Sequence, residues 1–228
     1  MVDVALFELE GVLFDTAESR RASLREALLA QGIVLALDSD VVDGLPPRAA
    51  VAAALTFGRM AYDDVMIDLV AHRAERAFTD SIASGGAALR EGALDFFEQA
   101  ASSARLAVVT RMNRGDAGTL LRLANLESVA TIIVCADELL DGKPSPEGHR
   151  AALERLGRQK AVSPQAVIAL EDGPLGIRAA RAAGARCIAV GPLAPHVAMD
   201  ADAYVPSLEG QTLKSLDALS APGREQVQ

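Results

Sequence analysis

Residues 167–190 read VIALEDGPLGIRAARAAGARCIAV, and this stretch decides the fold. Val167–Leu170 is a continuous apolar run of strand length, broken by Glu171-Asp172-Gly173. Leu175–Ala183 follows with helical character, and Cys187–Val190 is a second apolar run. Strands that are apolar throughout and alternate with helices argue for a parallel sheet covered on both faces.

The alternation extends outward in both directions. Upstream lie a helix over Gly92–Ala101, a strand over Leu106–Thr110, a helix over Asp116–Ala124, a strand over Ile132–Val134 and a helix over Glu147–Leu156. Downstream a last short strand is expected near Tyr204. The chain also opens on an apolar run, Val2 to Leu9, that ends at Glu10-Gly11. From Thr16 to about Ile82 the pattern is helical instead. One helix carries Leu24, Ala27 and Leu28 and stops at Gln31-Gly32; a second, Arg48–Phe57, is opened by Pro46-Pro47; a third spans Tyr62–Ile82. Ala83-Ser84-Gly85-Gly86 reads as the junction back. The expected fold class is α/β, with a parallel-sheet core over residues 1–15 and 86–228 and an inserted helical cap over 16–85. The tail from Ser220 to Gln228 is polar and is expected to fray.

Composition excludes several partners. With 22 Lys+Arg against 31 Asp+Glu, the formal charge of −9 leaves no basic excess to release counterions from nucleic acid or an anionic membrane. No apolar stretch approaches the roughly 20 residues that span a bilayer, and no leader peptide is indicated. Cys135 and Cys187 lack metal-ligand spacing and read as buried thiols in a reducing, cytoplasmic compartment. Among the basic residues only Lys143, Lys160 and Lys214 are lysines. A sequence that nearly always uses Arg places a Lys where a compact point charge is needed.

Ligands of an open parallel sheet bind beyond the carboxyl ends of its strands. The residues in that position are Glu8 and Glu10, Thr110-Arg111, Asp141-Gly142-Lys143-Pro144 and Glu171-Asp172-Gly173. The four carboxylates Glu8, Glu10, Glu171 and Asp172 at one edge repel unless a cation sits among them, and hard oxygen ligands suit Mg²⁺. Lysine, threonine and loop amides can hold phosphate. Phosphoryl chemistry is the inference. The bland readings are strand-end acids for Glu8 and Glu10, a strand terminator for Thr110 and a helix cap for Glu171-Asp172. Arg111 and Arg114 also fit a solvated helix turn. Arg20, Arg48, Arg73 and Arg76 read as cap surface, and His72, His149 and His196 share no metal spacing and receive no role.

Four segments in order, FELEGVLFDT (7–16), VVTR (108–111), GKPSP (142–146) and LEDGPLGI (170–177), resemble the haloacid dehalogenase-like superfamily over nearly the whole chain. The cap after the first segment is similar to the β-phosphoglucomutase and phosphoglycolate phosphatase branch. The resemblance implies a Rossmann-like core and a Mg²⁺-dependent phosphatase acting on a small phosphorylated metabolite. Glu8 matches the nucleophile and Glu10 the general acid/base; Thr110, the Arg111 amide and Lys143 match the phosphate-binding groups. Glu8, Glu10, Glu171 and Asp172 match the Mg²⁺ ligands, Glu10 through its carbonyl. Relatives carry aspartate at both first-segment positions, and each glutamate moves a carboxylate by about 1.5 Å where about 0.5 Å is tolerated. Impaired activity is therefore expected, with a non-catalytic homologue that binds a phosphorylated ligand or a protein partner as the alternative. Mutase activity is disfavoured because Arg20 stands near the place of a family histidine. The substrate and the oligomeric state are not readable.

Overall fold

The computed structural model describes residues 1–37, 39–130 and 132–221. In chain order its strands are β1 (Val4–Phe7), β2 (Phe14–Asp15), β3 (Ala88–Leu89), β4 (Arg105–Val109), β5 (Ile132–Val134), β6 (Val167–Glu171), β7 (Arg186–Val190) and β8 (Ala203–Val205). Its α-helices are α1 (Ala17–Leu29), α2 (Ser39–Val42), α3 (Pro47–Phe57), α4 (Asp64–Ala83), α5 (Ala93–Ala101), α6 (Arg114–Leu123), α7 (Glu147–Gly157), α8 (Pro174–Ala182), α9 (Pro195–Ala198) and α10 (Leu213–Leu219). The chain divides into two compact units, Met1–Phe14 with the residues from Leu89 onward, and Asp15–Ala88.

In the first unit six strands pair in the order β5-β4-β1-β6-β7-β8, every pair parallel. The α/β reading thus becomes an observed sheet with helices on both faces. On one face Val4, Leu6, Val109 and Ala169 pack with Ala152 and Leu156 of α7 and Ile177 and Ala180 of α8. On the other, Phe7 meets Phe97 of α5 edge-on, ring centroids 4.8 Å apart. Burial on both sides is why these strands read as continuous apolar runs rather than alternating ones.

The second unit is helical. Leu24 and Leu28 of α1 close on Val51 and Leu55 of α3 and Ile67 and Val70 of α4. Arg20 is ion-paired with Glu75 at 2.6 Å and lies over the Phe78 ring, and Arg48 pairs with Asp64 and Asp68.

Several boundaries differ from expectation for identifiable reasons. The helix expected from Tyr62 begins at Asp64, because the Asp63 carboxylate caps it by accepting from the Met66 N–H at 2.8 Å. The helix expected from Gly92 begins at Ala93, since Gly92 is left-handed with φ +73°. The opening strand is shorter than Val2–Leu9, the chain turning back at Glu10-Gly11. The expectation for residues 222–228 lies outside the described residues. No helix among the described residues is long and apolar enough to cross a membrane. Cys135 and Cys187 are free and buried, and burial pushes the Cys135 thiol up to about 11.

Candidate active site

The strand order fixes where a ligand can bind. From β1 the chain moves to β4 and β5 on one side, then returns to β6, β7 and β8 on the other, so β1 lies at the reversal of winding. A crevice opens beyond the carboxyl ends of the strands at such a switch point. Phe7 is in register with Val108 of β4 and Leu170 of β6, and the Glu8 N–H donates to the Leu170 carbonyl at 3.1 Å. Parallel pairing therefore carries Glu8, Thr110 and Glu171 to one edge.

Lys143 reaches this edge from the loop before α7, its side chain only 6% exposed. Its Nζ donates to Glu8 Oε2 at 2.7 Å and to both oxygens of Glu171 at 2.7 Å. Burial alone would lower its pKa, but Glu171 and Glu8 outweigh that and hold it above the ordinary lysine value. Glu171 is 1% exposed; burial would raise its pKa, yet Lys143 and a hydrogen bond from His149 keep it below the usual carboxylate range. The Glu8 side chain curls so that Oε1 accepts from the Leu9 N–H at 2.8 Å. Glu10 is buried on the turn after β1, bridged by its backbone to Phe14.

Gly11 makes this turn possible. It sits at φ +75°, and a Cβ there would fall 2.0 Å from Asp172 Oδ2, so the loop after β6 packs across the bare backbone. Burial and the nearby Glu8 charge push the Asp172 carboxyl up to about 7, partly offset by Arg111. In the folded chain Asp172 thus keeps a proton that the unfolded chain sheds near pH 3.8, and stability falls as pH rises through this window. Asp172→Asn removes that dependence. In chelator its stability gain over wild type should grow from near zero at pH 4 to roughly 2 kcal/mol at pH 8, the full shift being discounted for partial exposure. Denaturant melts across this range check it; a gain that does not vary with pH contradicts the assignment.

The expected metal ligands are not equivalent. Glu171 Oε1 already accepts from both Lys143 and His149, and Oε2 accepts from Lys143. A Cβ on Gly176 would lie 1.9 Å from Oε2, so α8 closes that side. Glu171 therefore anchors Lys143, and α8 covers the side on which Oε2 would meet a further ligand. Glu8 and Asp172 keep lone pairs and repel each other, a hard-oxygen pair that fits Mg²⁺. Among the described residues one Cys, Asp and Glu trio brings its ligand atoms within 4.8 Å, and it is Cys135, Asp137 and Glu138 instead. Its acids already have partners. Glu138 pairs with Arg114 and Arg155, and Asp137 accepts from the Arg114 N–H.

Thr110 is 2% exposed, and its hydroxyl accepts from the Met112 N–H at 3.3 Å. With Arg111, Lys143 and Ser145 it lines a cavity of about 20 Å³, room for about one water. A larger hollow of about 300 Å³, lined by Leu153, Val162, Pro164 and Val167, lies at the amino end of β6 and carries none of this chemistry. Arg114 is structural, its guanidinium donating to the Ile133 carbonyl at 2.8 Å. His149 is the residue that sequence reading missed. It lies in a buried stripe of α7 with Ala152 and Leu156, directly after the Lys143 loop, and that position was the available signal.

Comparison with known proteins agrees with the fold. The family model described as haloacid dehalogenase-like hydrolase matches residues 5–190. Protein CbbY of Cereibacter sphaeroides is 31% identical over 196 residues, covering 82% of this chain and 84% of that protein. Validoxylamine A 7'-phosphate phosphatase of Streptomyces hygroscopicus subsp. limoneus is 29% identical over 193 residues, covering 82% and 85%. The crystal structure of CbbY from Rhodobacter sphaeroides in complex with phosphate superposes with a TM-score of 0.78 at 28% identity, covering 95% of this chain and 100% of that one.

Proposed function

The chain belongs to the haloacid dehalogenase-like hydrolase family, and from that premise we propose a Mg²⁺-dependent phosphatase of small phosphorylated metabolites, slowed by its two glutamates. One observation carries the reading: a buried lysine ammonium clamped between Glu8 and Glu171 at the reversal point of the sheet. An edge so arranged offers a nucleophilic carboxylate beside fixed positive charge, which phosphoryl transfer needs. Relatives named as phosphatases of phosphorylated carbohydrates and of fructose-1-phosphate support a sugar phosphate as substrate.

In this reading Glu8 attacks phosphorus, the ester P–O bond breaks, and Glu10 gives its proton to the leaving oxygen. Glu10 then takes a proton from water, which cleaves the acyl phosphate, releases inorganic phosphate and restores Glu8. Lys143, Thr110 and the Arg111 amide hold the phosphoryl oxygens throughout. Glu8, Asp172 and the Glu10 carbonyl would hold Mg²⁺, which when bound supplies positive charge to those oxygens. Accordingly Mg²⁺ should raise the melting temperature of wild type at pH 8 and leave Asp172→Asn unmoved. An equal rise in both proteins would place the ion elsewhere.

A second reading, a homologue that binds phosphorylated ligands without turning them over, draws on a specific contact set. Each Glu8 oxygen already accepts one hydrogen bond, from the Leu9 N–H or from Lys143, which holds the carboxylate in a fixed direction. Arg20 pairs with Glu75 within the cap, which favours hydrolysis over a mutase-type transfer. A reducing cytoplasmic setting belongs to the same reading, supported by two buried free thiols. Phosphate release from a panel of sugar phosphates with Mg²⁺ tests the proposal. Slow, metal-dependent release is expected; release that is unaffected by chelator would overturn the Mg²⁺ assignment.

A further inference from the structure

We infer that His149 is a positioning residue that sets Lys143 through Glu171, an inference that rests on the phosphoryl-site reading for its purpose but not for its test. His149 Nε2 lies 2.8 Å from Glu171 Oε1, and both side chains are 1% exposed. Glu171, ionised beside the Lys143 ammonium, can only accept, so Nε2 carries the proton in the bond. Nδ1 is buried and has no hydrogen-bond partner among the described residues. A histidine placed merely to fill the core would gain nothing from an unpartnered nitrogen there, and burying one is unfavourable. The Nε2–H bond to Glu171 supplies the compensation.

The geometry of α7 makes the contact possible. A Cβ on Gly148 would lie 3.1 Å from both Val109 and Leu139, so glycine lets the first turn of α7 settle on β4. That settling turns His149 toward the end of β6. The carboxylate it holds is the one that contacts Lys143 with both oxygens. Without His149, Glu171 Oε1 loses the bond that fixes its plane, and the ammonium loses a defined direction between Glu171 and Glu8. Accurate placement of a charged group depends on such supporting hydrogen bonds.

The chain's composition makes the test simple, because it has three histidines and three lysines. His72 and His196 are exposed, and Lys160 has 71% of its side chain exposed. Nitrogen-15 spectra of the wild type should show one buried imidazole protonated at Nε2 and one slowly exchanging lysine ammonium, Lys143. In His149→Phe that ammonium should exchange with solvent at least about tenfold faster, and His149→Gln, which keeps an N–H donor, should restore slow exchange. Unchanged exchange in His149→Phe, or an unprotonated Nε2 in wild type, would overturn the inference; the latter needs no variant to fold. Adding inorganic phosphate to wild type addresses the phosphoryl-site reading separately. If phosphate leaves the Lys143 signal unmoved while His149→Phe shifts its exchange, that reading fails and the positioning role stands.

Discussion

Changing Glu8 and Glu10 together to aspartate raises phosphomonoester turnover by at least about a hundredfold. Each extra methylene displaces a carboxylate by about 1.5 Å, and displacements near 1 Å cost roughly a hundredfold in rate. In this chain the surplus length at Glu8 is taken up by a curl onto the neighbouring Leu9 N–H, while the other oxygen stays on Lys143. Aspartate is too short for that curl and would present its carboxylate to the cleft. Glu10 sits on the tight turn held by the Gly11 N–H to Phe14 carbonyl bond at 2.8 Å, so its backbone does not retract to compensate. Steady-state phosphate release with Mg²⁺ checks this. A double variant no faster than wild type means that the glutamates are not the limiting lesion.

The largest loss of stability is expected at Lys143. Lys143→Met leaves Glu8 and Glu171 facing each other in a site where they are 3% and 1% exposed. Removing one partner of a buried ion pair typically costs about 3–5 kcal/mol, because the remaining charge is stranded. Here two carboxylates are stranded, so the penalty should be at the upper end at pH 8. It should shrink as pH falls through the carboxylate range, where protonation relieves the repulsion. Adding Glu8→Gln to Lys143→Met should recover part of the loss. Denaturant unfolding at pH 8 and pH 5 checks both, and a pH-independent loss below about 1 kcal/mol would contradict a clamped ammonium.

Much of this was readable from the chain because burial on both faces writes itself into the strands. Val167–Leu170 and Ile132–Val134 are apolar throughout, and both of these strands appear within a residue of their expected positions. The edge residues followed from one rule, that parallel strands present their ligands at their carboxyl ends. Short elements were not readable. α2 and α9 are single turns, too brief to show a helical period. α10 does carry a signal in the sequence, since Thr212 and Ser215 cap it reciprocally. The partners within the site were also hidden, because they depend on distances between loops far apart in sequence. Four acids at one edge look alike in a sequence. In the fold, Glu171 is saturated by Lys143 and His149, while Asp172 lies across Gly11 with its charge poorly compensated. Metal spacing does not reveal His149, because its bond is to a carboxylate.

The edge formed by Thr110, Lys143 and Glu8 is where a phosphoryl group is expected to bind. Calorimetric titration of wild type with inorganic phosphate in the presence of Mg²⁺ tests it most directly. One-to-one saturable binding is predicted, weakened at least about tenfold, or about 1.4 kcal/mol, in Thr110→Val, which keeps the side-chain volume but removes the hydroxyl. Absence of saturable binding in wild type, or equal affinity in Thr110→Val, would contradict it.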